Sequence, residues 1–329
     1  MNGEPGPLRW VVPLVMVLLV SGCAVVDQRP EPVSISVAAP RPLGVDDPAV
    51  VPSASPAPAP ACDPRASLRP RGPLPAPGQI SSRGQMEAIL QRGRLVVGVD
   101  QNTYLFSYPD PVTGQLIGFD IDIAREIARA IFGSPDAIHF IAISQADRIP
   151  AIRQGRVDVV VDTMTITCQR LQEVAFSTEY LTAGQRVLVH RGSSFRSLDD
   201  LGGKKVCAAK GTTSLQAILE APSRPVAVGA EVTADCMVLL QQDQVDAIST
   251  DDTVLAGYAE QDRSTEVVGS RFSDEPYGVA VAKDAPEFVR FINAVLERIR
   301  ADGTWRRLYE RWLSTLGPAP APPVPRYRD

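Results

Sequence analysis

A short polar stretch near the middle of the chain has residue types that can bind an anion. Residues 163–170 read TMTITCQR and follow VDVVVD, which is the pattern of a buried strand. The hydroxyls of Thr163 and Thr165, together with free backbone N–H groups after the strand, can donate hydrogen bonds to the oxygens of an anion. Arg170 can pair with the same anion through two nitrogens. The stretch therefore predicts a carboxylate site, although a threonine-rich loop with a surface arginine also fits these residues alone.

The elements that must position this stretch alternate between strands and helices. Residues 94–100 (RLVVGVD) and 139–143 (HFIAI) are apolar strand patterns. Between them, DIDIAREIARAIF has the periodicity of an amphipathic helix, with Asp120 as a candidate N-cap. The alternation recurs after residue 200, where QDQVDAISTDDT (242–253) matches QGRVDVVVDTMT (154–165) in form. The pattern predicts an α/β protein with two similar, Rossmann-like lobes and mostly parallel sheets.

Two such lobes joined by more than one strand form a clam shell, in which a ligand binds at the loops beyond the carboxyl ends of the strands. Several polar side chains fall at predicted strand ends in one lobe or the other. They are Asp100, Thr163, Thr165, Arg170, Thr212, Thr213 and Asp251.

The first residues have the features of an exported lipoprotein. Residues 10–20 (WVVPLVMVLLV) are apolar but shorter than the roughly 20 residues that span a bilayer, and they fit the h-region of a signal peptide. The sequence V-S-G-C ending at Cys23 resembles a bacterial lipoprotein cleavage site, after which Cys23 would carry the lipid. A signal-anchor helix with an incidental cysteine is the alternative. Both interpretations predict an extracytoplasmic protein attached to the membrane through residues 1–23.

Proline-rich segments flank the part that is expected to fold. Residues 24–80 hold nearly half of the 30 prolines of the chain, and large apolar side chains are sparse there. Such a segment cannot offset the entropy of ordering, so we expect an extended tether at 24–80 and a disordered tail at 317–329. The remainder is long enough for two lobes. We expect lobe 1 to comprise residues 81–187 and 281–316, and lobe 2 to comprise residues 188–280.

Charge and cysteine content restrict the partners and cofactors. The net charge of −5 and the absence of a basic run argue against a nucleic-acid partner. Of five cysteines, Cys23 is assigned to lipid, and an exported protein can oxidise the others. We predict that Cys207, on a strand pattern, pairs with Cys236, on a helix pattern, which leaves Cys62 to pair with Cys168. There is no C-x-x-C, and the two histidines lack ligand spacing, so we expect neither a metal nor a cofactor.

Eight segments in order resemble a known family. They are GRLVVGVD, GQLIGFDIDIAREIA, DRIPAIRQGRVDVVVDTMTITCQR, FSTEYL, LDDLGGKKVCAAKGTTS, VDAISTDD, EPYGVAVAK and DGTWRRLYERW, and they span nearly all of residues 85–315. Together they resemble the family 3 solute-binding proteins of ABC importers for polar amino acids, most of all the actinobacterial glutamine- and glutamate-binding lipoproteins. The resemblance implies the type 2 periplasmic-binding fold with two hinge strands. It also implies a monomeric binding protein that delivers an amino acid to a membrane permease.

The resemblance assigns roles to individual residues. It implies that Arg170 pairs with the α-carboxylate of the ligand and that Thr163 and Thr165 add hydrogen bonds. Asp251, or Asp252 one residue later, would receive the α-ammonium group. In the second lobe, the GTT loop would bind the anion at a helix N-terminus, which points to Thr212 and Thr213. The loop after the first strand would form a wall of the site, with the candidates Asp100, Tyr104 and Phe106.

The choice of ligand and the final receiver are less constrained. Arg148 occupies the position at which the dicarboxylate-binding branch of the family has an arginine, so we expect glutamate or aspartate first and asparagine or glutamine next. A membrane sensor protein could replace the permease as receiver of the closed protein. A third alternative is an exported dehydratase of the same fold. It would need an acid–base residue in the cleft, whereas His139 and His190 both lie in strand-like runs, so we do not expect an enzyme.

Overall fold

The computed structural model describes residues 1, 3, 6, 39–49, 61–80 and 84–329. Contacts group Pro40–Asp329 into one compact unit and Met1–Ala39 into another, and only four residues of the latter are described. Apart from Met1, Gly3 and Gly6, the predicted signal peptide, including Cys23 as the expected lipidation site, lies outside the described residues. Among the residues that are described, no helix has both the length and the apolar character needed to cross a bilayer.

The elements alternate as the sequence predicts. The strands of the described residues are β1 (Ala66–Ser67), β2 (Leu95–Val99), β3 (Tyr108–Pro109), β4 (Leu116–Ile117), β5 (Ile138–Ala142), β6 (Val159–Val160), β7 (Val174–Phe176), β8 (Leu181–Ala183), β9 (Gln185–His190), β10 (Lys205–Ala209), β11 (Val226–Ala230), β12 (Ala247–Asp251), β13 (Thr265–Val268), β14 (Glu275–Tyr277), β15 (Ala280–Ala282) and β16 (Arg326–Tyr327). The α-helices there are α1 (Gln85–Arg92), α2 (Phe119–Phe132), α3 (Arg148–Arg153), α4 (Arg170–Glu173), α5 (Thr213–Glu220), α6 (Thr233–Gln241), α7 (Asp252–Gln261), α8 (Pro286–Ala301) and α9 (Thr304–Trp312).

Two five-stranded sheets form the centres of the two lobes. The order in lobe 1 is β5-β2-β6-β15-β7, and the order in lobe 2 is β11-β10-β12-β9-β13. In each sheet four strands run in one direction, while β15 in lobe 1 and β9 in lobe 2 run antiparallel to both of their neighbours. The predicted α/β class with two similar lobes is therefore confirmed. The sheets are mixed because the chain passes from one lobe to the other and returns.

The two crossings between the lobes pair with each other. Strand β8 lies between β7 of the first sheet and β9 of the second, and β14 lies between β13 and β15 on the return. The two form an antiparallel ladder in which Leu181 is opposite Tyr277 and Ala183 is opposite Glu275. This ladder is the hinge, and it places Glu275 and Tyr277 between the lobes.

The entry into α2 depends on a close approach of two backbone segments. Gly118 has φ 134°, and a Cβ atom there would lie 2.2 Å from the carbonyl oxygen of Phe106. The helix begins at Phe119, so Asp120 lies in its first turn and is not the N-cap. The carboxylate of Asp120 instead accepts hydrogen bonds from Thr163 N at 2.7 Å and Tyr180 Oη at 2.8 Å. It thus fixes the loop after β6.

The described part of the proline-rich segment packs against the lobes, which differs from the expected free tether. Strand β1 runs parallel to β16, so Ser67 is opposite Tyr327 in the tail that was expected to be disordered. Asn293 on α8 is fully buried. Its side chain accepts from Thr178 N at 2.6 Å and donates to Ser67 Oγ at 2.9 Å and to Leu68 O at 2.7 Å. Amino-acid composition underestimates the order of this segment, because the segment is held by hydrogen bonds to polar groups of lobe 1.

One arginine of this segment bridges the two crossings of the hinge. Arg65 donates from Nε to Glu179 at 2.7 Å, just before β8, and from Nη1 and Nη2 to Asp274 at 2.6 and 2.7 Å, just before β14. We call residues 61–71 the strap. The strap therefore contacts the outside of the hinge rather than hanging free.

Both predicted disulfides are present. Cys62 and Cys168 join the strap to the loop that leads to Arg170, with their Cα atoms 5.9 Å apart. Cys207 on β10 and Cys236 on α6 join a strand to a helix within lobe 2, with their Cα atoms 5.6 Å apart.

We predict that Asn293→Leu lowers the free energy of unfolding by about 2–4 kcal/mol, because Thr178 N, Ser67 Oγ and Leu68 O each lose a hydrogen bond at once. Urea unfolding measures the change, and limited proteolysis should show faster cleavage within residues 61–80. Glu310→Gln, an exposed change on α9, serves as the control and should leave both unchanged. An Asn293→Leu variant as stable as the wild type would show that the strap is not held by this side chain.

Candidate functional site

A small closed cavity lies between the two lobes. Its volume is about 20 Å³, which is room for about one water molecule. The lobes are therefore closed on each other, and a ligand requires them to open. The lining residues are Thr103, Gln145, Arg148, Thr163, Thr165, Arg170, Thr212, Thr213, Ser214, Thr233, Thr250, Asp251 and Val254.

Arg170 begins α4 and is the cation that links the lobes. The residue is only 9% exposed. Its Nη1 donates to Thr165 O at 2.7 Å in its own lobe, and its Nη2 donates to Gly211 O at 3.1 Å in the other. Burial, with a smaller contribution from Arg148, lowers the pKa of Arg170 to about 9. The guanidinium thus remains charged at neutral pH and faces the cavity.

A buried glutamate that the sequence did not identify connects hydroxyls from both lobes. Glu275 Oε2 accepts from Thr165 Oγ1 at 2.6 Å and from Thr213 Oγ1 at 3.0 Å. Its Oε1 accepts from Gln185 Nε2 and Ser273 Oγ, both at 2.7 Å. The segment EPYGVAVAK could have indicated this residue. A glutamate inside a buried strand pattern is rarely found without a partner, so Glu275 was a candidate for polar contacts.

Thr163 and Thr212 line the cavity, but part of their hydrogen-bonding capacity is already used. Thr163 has φ 41°, and its N–H donates to the carboxylate of Asp120. Burial raises the pKa of Asp120 to about 7. Thr212 is the N-cap of α5: its hydroxyl accepts from Leu215 N at 3.1 Å and donates to Ala209 O at 2.6 Å. The hydroxyl of Thr212 is therefore structural, as at other helix N-caps.

Asp251 brings a carboxylate to the cavity from the end of β12. One of its oxygens, Oδ2, accepts from Tyr277 Oη at 2.6 Å. The other, Oδ1, is buried and has no hydrogen-bond partner in the part of the chain that the structure describes. Burial, and then the charge of Glu275, raise the pKa of Asp251 to about 7. A cationic group placed beside Oδ1 would remove this cost.

Asp252, the alternative to Asp251, lies outside the cavity. Its Oδ2 accepts from Arg271 Nε at 2.6 Å and its Oδ1 accepts from Gly184 N at 3.3 Å. It begins α7 and stabilises the hinge side of lobe 2.

Arg148, at the start of α3, is 3% exposed and held in place by backbone carbonyls. Its Nε donates to Gln145 O at 2.9 Å and its Nη1 donates to Asp162 O at 3.0 Å. The carboxylate of Asp162 lies 3.9 Å from Nε. Arg148 therefore presents a second guanidinium to the cavity.

The three residues predicted from the first-strand loop do not line the cavity. Asp100 is buried and accepts from Thr103 Oγ1 at 2.5 Å and Gln145 Nε2 at 3.2 Å, so it orients lining residues instead. Tyr104 packs against Tyr108 with ring centroids 4.8 Å apart. Phe106 is fully buried between Phe119 and Tyr277. These aromatic side chains form the core beneath the loop.

Six lining residues were missed in the sequence: Thr103, Gln145, Ser214, Thr233, Thr250 and Val254. Five of them lie within three positions of a predicted site residue: Thr103, Gln145, Ser214, Thr250 and Val254. For Thr103, Ser214 and Thr250 the local signal was a second hydroxyl close to a predicted site residue. Thr233 begins α6 and has no predicted site residue near it in the sequence.

The arrangement can bind a zwitterion and offers little for catalysis. Two guanidiniums face a carboxylate across the cleft, while hydroxyls and a helix N-terminus surround them. Neither His139 nor His190 lines the cavity; His190 Nε2 lies 2.9 Å from Leu240 O. Within the described ranges there is no cluster of three or more metal-ligating side chains.

We predict that Asp251→Asn raises the stability of the protein when it is refolded without amino acids. The pKa of Asp251 is about 7 in the folded chain, against an ordinary 3.8. Between these values the folded chain binds more protons than the unfolded chain, so the free energy of unfolding falls as pH rises through this window. Asp251→Asn removes that fall, and near pH 8 it should add about 1–3 kcal/mol.

Urea unfolding near pH 5 and near pH 8 measures this difference. The advantage of Asp251→Asn over the wild type should be smaller near pH 5, where only the lower part of the window between 3.8 and about 7 has been crossed. Asp199→Asn, at an exposed carboxylate, is the matched control and should change neither value. Equal stabilities of wild type and Asp251→Asn at the higher pH would contradict the prediction.

Comparisons with known proteins agree with this geometry. The family model for bacterial extracellular solute-binding proteins, family 3, matches residues 95–315. The ABC transporter glutamine-binding protein GlnH of Bacillus subtilis (strain 168) is 38% identical over 234 residues, covering 71% of this chain and 86% of that protein. The glutamate-binding protein GluB of Corynebacterium glutamicum is 31% identical over 249 residues, covering 71% and 83%. A solved structure of an ancestral arginine-binding protein bound to glutamine has 37% identity and a TM-score of 0.63, covering 67% of this chain and 98% of that one.

Proposed function

The chain belongs to the bacterial extracellular solute-binding proteins of family 3, and from this membership we propose that it binds a polar amino acid between its lobes and delivers it to an ABC importer. The relatives are binding proteins by name, and this agrees with the expectation that the chain is not an enzyme. We propose that it acts as a monomer outside the cytoplasm.

The observation that carries the proposal is the pairing of opposite charges across the cleft. Arg170 stands on lobe 1, and Asp251, with an unpartnered buried oxygen, stands on lobe 2. An α-amino acid carries a carboxylate for the first and an ammonium group for the second. Closing the lobes around it excludes water and strengthens both pairings. The hydroxyls of Thr165 and Thr213 both donate to Glu275 Oε2. Either hydroxyl can donate to the ligand instead if its hydrogen bond to Glu275 is broken.

We propose that the side chain of the ligand lies near Arg148, the second cation that lines the cavity. Because a cation can donate to a carboxylate or to an amide oxygen, the proposed ligands are glutamate, aspartate, glutamine and asparagine. The names of the relatives include glutamine-binding and glutamate-binding proteins.

We predict that titration calorimetry of the full chain in detergent, with the twenty amino acids, detects binding of at least one of these four ligands tighter than about 100 μM. Arg170→Met should weaken every ligand by at least ~100-fold, because it leaves the α-carboxylate buried without its cation. Arg153→Met, at an exposed arginine on α3, is the matched control and should bind as the wild type does. Thermal unfolding checks that both variants fold.

The proposal fails if the wild type binds none of the twenty amino acids. It also fails if Arg170→Met, when folded, binds its ligand with wild-type affinity.

We further propose that lipid on Cys23 anchors the protein to the membrane. This proposal rests on the sequence of residues 10–23. Because a single acyl chain binds a membrane only weakly, stable anchoring would require the two acyl chains of a diacylated lipoprotein cysteine. Cells grown with labelled palmitate should label the wild type and leave Cys23→Ala unlabelled, with Cys23→Ala released from the membrane fraction. A Cys23→Ala protein that remains labelled would contradict the anchor.

A further inference from the structure

We infer that the cavity selects an amino acid whose side chain ends in a carboxamide, and that Gln145 makes this selection together with Arg148. The inference rests on the proposed function, since it concerns the side-chain end of the ligand. It reverses the order of ligands that Arg148 alone suggests in the sequence.

The orientation of the Gln145 amide is fixed by a buried carboxylate. Gln145 is 7% exposed, and its Nε2 donates to Asp100 Oδ2 at 3.2 Å. The same carboxylate accepts from Asn102 N, Asn102 Nδ2 and Thr103 Oγ1 at 3.0, 3.1 and 2.5 Å. Asp100 thus acts as an acceptor throughout. A flipped amide would bring Gln145 Oε1 against Asp100 Oδ2, two acceptors in contact.

The oxygen of Gln145 is therefore left as an acceptor at the cavity. Gln145 lines the cavity, and its Oε1 is buried without a hydrogen-bond partner among the described residues. A buried acceptor with no donor costs free energy, which a ligand N–H placed there would recover. This end of the site therefore requires a donor from the ligand.

Arg148 supplies the matching donor. Its Nε donates to Gln145 O, and one N–H group of Nη1 donates to Asp162 O. Its Nη2 donates no hydrogen bond within the part of the chain that the structure describes. A guanidinium has five N–H groups, so three remain on Nη1 and Nη2, and they can donate to the oxygen of a carboxamide. Because they can also pair with a carboxylate, the selection between amide and acid comes from Gln145.

A carboxamide satisfies both requirements. Its oxygen can accept from Arg148 Nη2, and its NH₂ can donate to Gln145 Oε1. A side-chain carboxylate would place an oxygen against Oε1, with Asp100 and Asp162 close behind. A lysine or arginine side chain would satisfy Oε1 but would meet the guanidiniums of Arg148 and Arg170. The site therefore discriminates against both charges and favours glutamine and asparagine.

Titration calorimetry of the full chain in detergent with L-glutamine, L-asparagine, L-glutamate and L-aspartate tests this inference. A site built around hydrogen bonds to a polar group rejects analogues that leave its polar atoms unpaired. We expect the tighter-binding carboxamide to bind at least ~10-fold more tightly than its corresponding acid. In Gln145→Met, which keeps Arg170 and Asp251, we expect binding to persist and this ratio to fall by about tenfold.

Gln91→Met, at an exposed glutamine on α1, is the matched control and should keep the wild-type ratio. A structural defect would weaken all four ligands together, so a change in the ratio reports the contact itself. If Gln145→Met does not fold, the wild-type ratio alone decides.

The inference is overturned if the wild type binds the acid as tightly as the amide, or if folded Gln145→Met keeps the wild-type ratio. In both cases an amino acid still binds and the proposed function stands. Absence of binding by any of the twenty amino acids would instead overturn the proposed function, and the inference with it.

Discussion

The buried charge of Arg170 is the constraint on which the site depends. A guanidinium removed from water is costly unless opposite charges and hydrogen bonds compensate it. In the closed protein the compensation comes from two carbonyls and from the carboxylates of Glu275 and Asp251, whose charges favour the protonated arginine. Gly211 and Asp251 belong to lobe 2 and Glu275 to the hinge. The charge of Arg170 is therefore compensated by all of these groups only when the lobes close. A ligand carboxylate that enters the cleft would replace some of the contacts that Arg170 makes in the closed protein.

The hinge takes part in this electrostatic balance. Strand β14 carries Glu275, which bonds Thr165 of one lobe and Thr213 of the other, and Tyr277, which bonds Asp251. A strand that joins the lobes thus also contacts donors and acceptors from both lobes. On the outer side of the same ladder, Arg65 bridges the approaches to both crossings. The strap and residues that line the cavity therefore both contact the hinge region.

The features that could be predicted from the sequence are those that a short stretch of residues encodes by itself. A strand end followed by a polar loop can be recognised without its partner, so Arg170, Thr165 and Asp251 were found and line the cavity. The prediction for the first-strand loop was wrong because aromatic side chains beside a polar residue fit the wall of a ligand site and a hydrophobic core equally well. In the structure Phe106 is buried between Phe119 and Tyr277 and belongs to the core. The order of the strap escaped for a related reason, since it depends on Asn293, more than two hundred residues away.

The same distinction explains why charge alone is a poor guide to the ligand. Arg148 suggests an acidic side chain as long as its neighbours are unknown. Gln145 O and Asp162 O accept from two of its five N–H groups, and the other three can donate to a carboxamide oxygen as well as to a carboxylate. Asp100, which does not line the cavity, then sets the polarity of the neighbouring amide by fixing Gln145. Under the carboxamide selection that we infer, specificity would follow from the direction of the Gln145 amide, which a carboxylate outside the cavity fixes.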